Sequence, residues 1–215
     1  MGTLNNGPFG HINGRVGNLV SYTLKGKNVI RTAGKNAKPP TLAKLANYQR
    51  MKVTNAFLKP TLALLNLGFA KAVEDTDRSA YNEAVSYHKK HALQGVYPNI
   101  SMDYSKAMLS KGNLPPAVSP ALNILSNGIE FTWEMPGNIA PQCLNNRAML
   151  LVFFPEGVNA TRIPRAAIEL SGARRHECRD FMALTAAELG KPFEAYIAFI
   201  ADDRLNVSDS VWVGA

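Results

Sequence analysis

The sequence predicts an α+β protein: a basic N-terminal hairpin with helices, followed by an antiparallel β-sandwich. Three observations carry that prediction. Charge is partitioned, because residues 1–73 hold eleven Lys or Arg and no Asp or Glu, while residues 111–215 hold nine basic and eleven acidic side chains. Helical periodicity lies between residue 42 and residue 93. Beyond Asp103 come short β-prone runs separated by turns, with no long helical pattern between them. The expected organisation is a basic hairpin-and-helix module over 1–103 and a sandwich over 104–215. With 215 residues, 46% of them hydrophobic, one or two domains can each bury a core.

The opening stretch "NGPFGHINGRVGNLVSYTLKGKNVIRT" has five glycines, four Lys or Arg and no acid. "RVGNLVSYTL" and "KNVIRT" read as two strands around Lys25-Gly26-Lys27. Gly26 takes the positive φ of the turn, and Val16, Leu19, Val20, Tyr22, Val29 and Ile30 supply strand formers. Gly14 and Gly17 allow close backbone packing. Such a hairpin is marginal alone, so it is expected to lie on the following helix or to pair with the C-terminal sheet.

"GKNAKPP" punctuates the chain, and Thr41 is the expected N-cap of a helix over 42–59. Leu42, Leu45, Gln49, Val53, Ala56 and Phe57 fall near one face of it. Pro60 opens a second helical segment with Leu62, Leu65, Phe69 and Val73 inward. A third helix is expected over 78–93, with Ala80, Ala84, Tyr87 and His91 along its stripe, ended by Gly95 and Pro98. The turn-rich "YSKAMLSKGNLPPAVSP" then leads to strands at "GIEFTWE", "RAMLLVFF", "HECRDFMAL", "PFEAYIAFI" and "NVSDSVWVG". In the first of these Ile129, Phe131 and Trp133 alternate with polar residues, the mark of a half-buried strand. Trp133 and Trp212 are expected in the core, and Tyr196 is either a core aromatic or a corner tyrosine.

"GHINGRVGNLVSYTLKGKNVIRT", the helix carrying Thr41, Gln49, Arg50 and Phe57, "LSKGNLP", "FTW" and "YIAFIADDRLNVSDSVWVG" occur in that order. Together they resemble an uncharacterised Bacteroidetes family carried as a domain of unknown function. The resemblance spans nearly the whole chain and implies no particular activity or catalytic residue. Separately, the C-terminal part resembles fibronectin type III or immunoglobulin-like modules. That likeness implies an immunoglobulin-like sandwich and no specific function.

Catalytic and cofactor chemistry finds little support. Gly26-Lys27 is followed by Asn28, where a phosphate-binding loop needs Ser or Thr, and the spacing of Gly10, Gly14 and Gly17 fails the dinucleotide pattern. His88 and His91 read as surface imidazoles beside Lys89 and Lys90 rather than a zinc pair. His176 and Cys178 lie too close along one strand reading to form an oriented nucleophile pair. Asp202 and Asp203 read as turn caps rather than calcium ligands. Cys143 and Cys178 have no metal spacing and are read as buried or half-buried thiols, with a disulfide as the alternative. The expectation is therefore no enzyme, no cofactor and no metal. No apolar run is long enough for a membrane span, and no charged leader precedes one, so a cytoplasmic protein is expected.

Two functional readings remain. The first is a non-enzymatic interaction or structural protein whose exposed sheet edges bind a polypeptide partner by strand addition. The second is a nucleic-acid-binding protein. Its surface is Arg15, Tyr22, Lys25, Lys27, Arg31, Lys35, Lys38, Lys44 and Lys52, the cations on phosphates and the tyrosine stacked on a base.

Overall fold

The computed structural model describes residues 3–4, 10–24, 26–34, 39–158 and 163–214. They belong to two compact units, Met1–Thr41 and Leu42–Ala215. The protein is α+β, with four α-helices and several antiparallel sheets among the described residues, and no sheet closes into a barrel.

The first unit is one antiparallel sheet in the order β1 (Thr3–Leu4), β2 (Ile12–Val16), β3 (Leu19–Leu24) and β4 (Lys27–Thr32). The hairpin of residues 19–32 forms as expected, with Leu24 opposite Lys27 and Gly26 at φ +77°. The single strand expected over residues 15–24 is broken. Val16 pairs with Leu19 across a two-residue loop, and Gly17 at φ +58° takes its first central position. A II′ hairpin turn asks for a glycine there. The support that a lone hairpin lacks comes from β2 and β1 on its β3 side.

The second unit opens with α1 (Leu42–Leu58), α2 (Leu62–Gly68) and α3 (Ala80–His91), followed by a small ladder of β5 (Leu93–Gln94) and β6 (Ser101–Met102). Ser79 caps α3, its hydroxyl accepting from the Asn82 N–H. Two larger sheets follow. One runs β11 (Arg179–Ala183), β8 (Gly128–Glu134), β7 (Val118–Leu125); the other runs β10 (Arg165–Glu169), β9 (Arg147–Phe154), β12 (Glu194–Ile200), β13 (Val211–Gly214). Every ladder in them is antiparallel. A last short helix, α4 (Ala186–Leu189), starts at a capping box between Thr185 and Glu188.

Strands β9 and β12 are buried on both faces, which is why "RAMLLVFF" reads as an unbroken apolar run rather than an alternating one. Met149, Leu151, Phe153, Tyr196 and Ala198 share one core with Phe57, Leu65, Phe69 and Ala84 of the helical segment. Leu150, Val152, Phe154, Ile197 and Phe199 share another with Ile129, Phe131, Trp133 and Met182 of the three-stranded sheet. The helices and the strands of the two larger sheets thus belong to one compact unit, Leu42–Ala215, and the boundary expected after Asp103 lies within it.

Local details differ from the sequence pattern. On α3 the buried residues are Ala84, Val85 and His88, while His91 faces out. On α2 Leu64 is buried and Leu62 exposed. Trp212 is 37% exposed, its indole N–H donating to Glu194 Oε2 at 2.7 Å. A 3-10 turn, Arg175–Glu177, replaces the first part of the expected "HECRDFMAL" strand. No helix among the described residues is long and apolar enough to cross a membrane.

Candidate functional site

Side chains on a strand alternate between faces, and directly paired residues share a face. In the N-terminal sheet Arg15 pairs with Val20, and Val20 with Arg31. Tyr22 pairs with Val29, and Leu24 with Lys27. Arg15, Tyr22, Lys27 and Arg31 therefore stand on the same face of the sheet. Adjacent strands are about 4.8 Å apart, so the two arginines flank Val20 at a backbone separation of about 10 Å. The Arg15 Nε–H donates to the Gly17 carbonyl at 2.9 Å, drawing that guanidinium toward the β2–β3 turn.

The opposite face carries a mostly apolar groove. Ile12, Gly14, Val16, Leu19, Ser21 and Ile30 line a groove of about 80 Å³. Val16 is 51% exposed and Ile30 63% exposed. Ser21 is the one buried residue among the described residues of this unit, and its hydroxyl has no hydrogen-bond partner there. Thr23, on the same face, shares a 2.7 Å hydrogen bond with His11 Nε2.

The other residues of the predicted basic surface divide into two sets. Lys25, Lys35 and Lys38 lie outside the described residues. Lys44 and Lys52 belong to α1 in the second unit, each about one turn from Tyr48 on either side of it, with the Lys44 ammonium 5.8 Å from the Tyr48 ring centre.

The catalytic and metal candidates are placed as follows. His88, expected at the surface, is fully buried. Its Nδ1–H donates to the Ala84 carbonyl at 2.7 Å, and its Nε2 accepts the Met108 N–H at 3.3 Å. Both ring nitrogens are used by a neutral imidazole, and burial pushes its pKa down to about 4. The periodicity misplaced it because a histidine between Tyr87 and Lys89 looks like part of a polar face. His176 is exposed and bonds the Leu144 carbonyl at 3.1 Å, whereas the Cys178 thiol points to the His176 carbonyl at 3.7 Å. Cys143 and Cys178 are free thiols, the first buried and the second half-buried. Asp203 caps its turn, accepting the Leu205 N–H at 2.8 Å. Among the described residues no three His, Cys, Asp or Glu side chains are grouped to hold a metal.

Arg175 is the residue that the sequence did not mark. It is 1% exposed, and its Nη atoms donate to the Pro116 and Pro115 carbonyls at 3.2 and 2.6 Å. Burial lowers its pKa to about 10. Nothing in "GARRHECR" separates this buried guanidinium from the half-buried one of Arg174 beside it.

No curated protein and no solved structure matches the chain. A family of unknown function, DUF6266, matches residues 11–214, a span that includes β2–β4 of the N-terminal sheet, the helices and both larger sheets. On that match the chain belongs to the family of unknown function DUF6266.

Proposed function

We propose that this chain is a non-enzymatic interaction protein that engages an extended polypeptide through its N-terminal sheet. The observation that carries the reading is the apolar groove of Ile12, Val16, Leu19 and Ile30, flanked by the outer strand β4. A polypeptide strand added to β4 gains main-chain hydrogen bonds, and its alternate side chains reach the groove. The test compares the wild type with Ile30→Glu, each immobilised after circular dichroism has established folding. A polypeptide retained by the wild type and lost by the variant supports the reading; equal retention or no retention overturns it.

The second reading is nucleic-acid binding, supported by the common face of Arg15, Tyr22, Lys27 and Arg31. Titration of labelled single-stranded DNA and RNA at low and physiological salt separates the two readings. Binding through that face survives Ile30→Glu and is weakened by Arg31→Glu.

For the remainder of the chain we propose an immunoglobulin-like sandwich of the fibronectin type III kind. Support comes from seven antiparallel strands split three and four, in orders β11-β8-β7 and β10-β9-β12-β13, around a shared core. The two free thiols favour a reducing compartment such as the cytoplasm.

A further inference from the structure

The outer edge of β4 has a definite hydrogen-bond phase. In an antiparallel ladder alternate residues turn both main-chain groups toward the partner strand, and the residues between them turn theirs away. The Ala33 N–H donates to the Asn18 carbonyl at 2.7 Å, so by alternation Arg31, Val29 and Lys27 bond toward β3. Asn28, Ile30 and Thr32 turn their N–H and C=O groups toward the outer edge of the sheet. An antiparallel strand added there bonds to those three residues, and Arg31 falls at a non-hydrogen-bonded position. Facing residues at such positions lie about 4.5 Å apart at Cα, closer than at the bonded ones.

The two faces of the added strand meet different chemistry. Its residues beside Ile30 lie on the side of the groove, where Val16, Leu19 and Ile30 are exposed. Its residues beside Arg31 lie on the face that carries Arg15, Tyr22 and Lys27. Residues 1–73 contain no Asp or Glu, so the unit Met1–Thr41 supplies no carboxylate to that face. Opposite charges facing each other across two strands stabilise the pairing, and like charges destabilise it. A basic strand is therefore repelled, and a neutral one gains nothing from the exposed Arg31. A second copy joined through the same edge would gather the cations of both copies on one face. A polynucleotide answers the cations but has no alternating N–H and C=O groups for the edge. We infer, resting on the strand-addition reading above, that the polypeptide taken up by β4 is an acidic alternating segment. Its Asp or Glu side chains stand on the Arg31 side and its apolar side chains on the Ile30 side.

The experiment titrates the full chain into short fluorescent peptides and reads anisotropy. One peptide alternates Glu and Val, a second replaces each Glu by Gln, and a third sorts the residues of the first into a Glu block and a Val block. The expected result is saturable binding of the alternating Glu peptide, at least about fivefold tighter than its Gln counterpart at low salt. Added salt should narrow that ratio, because screening acts on the charge pairs and not on the main-chain bonds. Arg31→Gln should bring the ratio toward one and leave the Gln peptide unchanged, whereas Ile30→Glu should weaken both alternating peptides. A Glu peptide bound no tighter than the Gln peptide overturns the acidic partner and leaves strand addition standing. Binding of neither alternating peptide overturns both. A block peptide bound as tightly as the alternating one also overturns the inference, since charge alone then suffices, as does a ratio that Arg31→Gln leaves unchanged. Oligothymidylate bound where no peptide binds overturns it in favour of nucleic acid.

Discussion

The guanidinium of Arg175 lies 3.6 Å above the ring of Phe199, inside the core between the two larger sheets. Phe199 in turn meets Trp133 edge-on, with ring centres 5.4 Å apart, and the Trp133 indole N–H donates to the Arg175 carbonyl at 2.7 Å. The loop reaches the segment before β7 through the Pro115 and Pro116 carbonyls. One residue, through its side chain and its carbonyl, thereby ties together β8, β12, the turn before β11 and the entry to β7. The cation has little solvent to keep it charged, and the aromatic face and two carbonyl dipoles replace part of that hydration.

Arg175→Lys should therefore be destabilising although it keeps the charge. A single ammonium lacks the planar fork that reaches two carbonyls while stacking on a ring. The expected loss is about 1–3 kcal/mol, measured from the urea midpoint at fixed slope. A midpoint equal to that of the wild type would remove the structural role assigned to this residue.

His88 predicts a pH dependence. Its folded pKa of about 4 lies below the ordinary value of 6.5, so over that interval the unfolded chain binds the extra proton. Stability contributed by the neutral ring is full above about pH 6.5 and falls as the pH drops toward 4. The total is on the order of 3 kcal/mol. His88→Leu should flatten this part of the curve of unfolding free energy against pH, relative to the wild type. Parallel curves over pH 4 to 6.5 would contradict the assignment.

Tyr196 donates its hydroxyl to the Tyr104 carbonyl at 2.8 Å, from β12 to the segment after β6. Burial raises its pKa, so it remains a neutral donor at ordinary pH. Tyr196→Phe keeps the ring among Phe57 and Phe153 and removes only this bond. The expected loss is about 1 kcal/mol in equilibrium unfolding. A loss several times larger would mean that the ring itself had moved.

Where local pattern and tertiary environment agree, the elements were legible. The alternation of Ile129, Phe131 and Trp133 announced β8, and the turn chemistry of Gly26 announced the 19–32 hairpin. The double burial of β9 was legible only as apolarity, because a run with no polar face does not say what covers each side. Two strands of the larger sheets were passed over. β7 carries Pro120 and ends in exposed Ile124 and Leu125, and β10 offers only Ala166, Ala167 and Ile168 as strand-like apolar groups. Of the basic surface, sequence named Arg15, Tyr22, Lys27 and Arg31, but their common face depends on register across the Gly17-Asn18 turn.

Gly26 and Gly34 offer a paired test of the hairpin. An added Cβ meets nothing within 4 Å at either position, yet only Gly26 has a positive φ, +77°. Gly26→Ala should therefore destabilise the sheet by about 1–2 kcal/mol through backbone strain alone. Gly34→Ala should be neutral or slightly stabilising, by up to about 1 kcal/mol. Amide hydrogen exchange over residues 19–32 is the readout. Equal protection in both variants would be incompatible with the turn.

The basic face makes a quantitative prediction for nucleic-acid binding. Three cations, Arg15, Lys27 and Arg31, share one face with Tyr22. Each phosphate neutralised on a single strand contributes about −0.7 to the slope of log affinity against log salt. If all three make such contacts, they contribute about −2, and Arg15→Gln with Arg31→Gln should make the slope shallower by about 1.4. Tyr22→Ser should instead lower affinity by about 1–3 kcal/mol through lost stacking, leaving the slope nearly unchanged. Lys111→Gln, in the acid-containing part of the chain, serves as the control with neither effect. Separating slope from affinity matters because a general loss of positive charge changes both, whereas a stacked base answers only to the aromatic ring. No binding at micromolar protein in low salt would remove the nucleic-acid reading. A slope that responds to Lys111 as strongly as to the arginine pair would place the contact elsewhere on the chain.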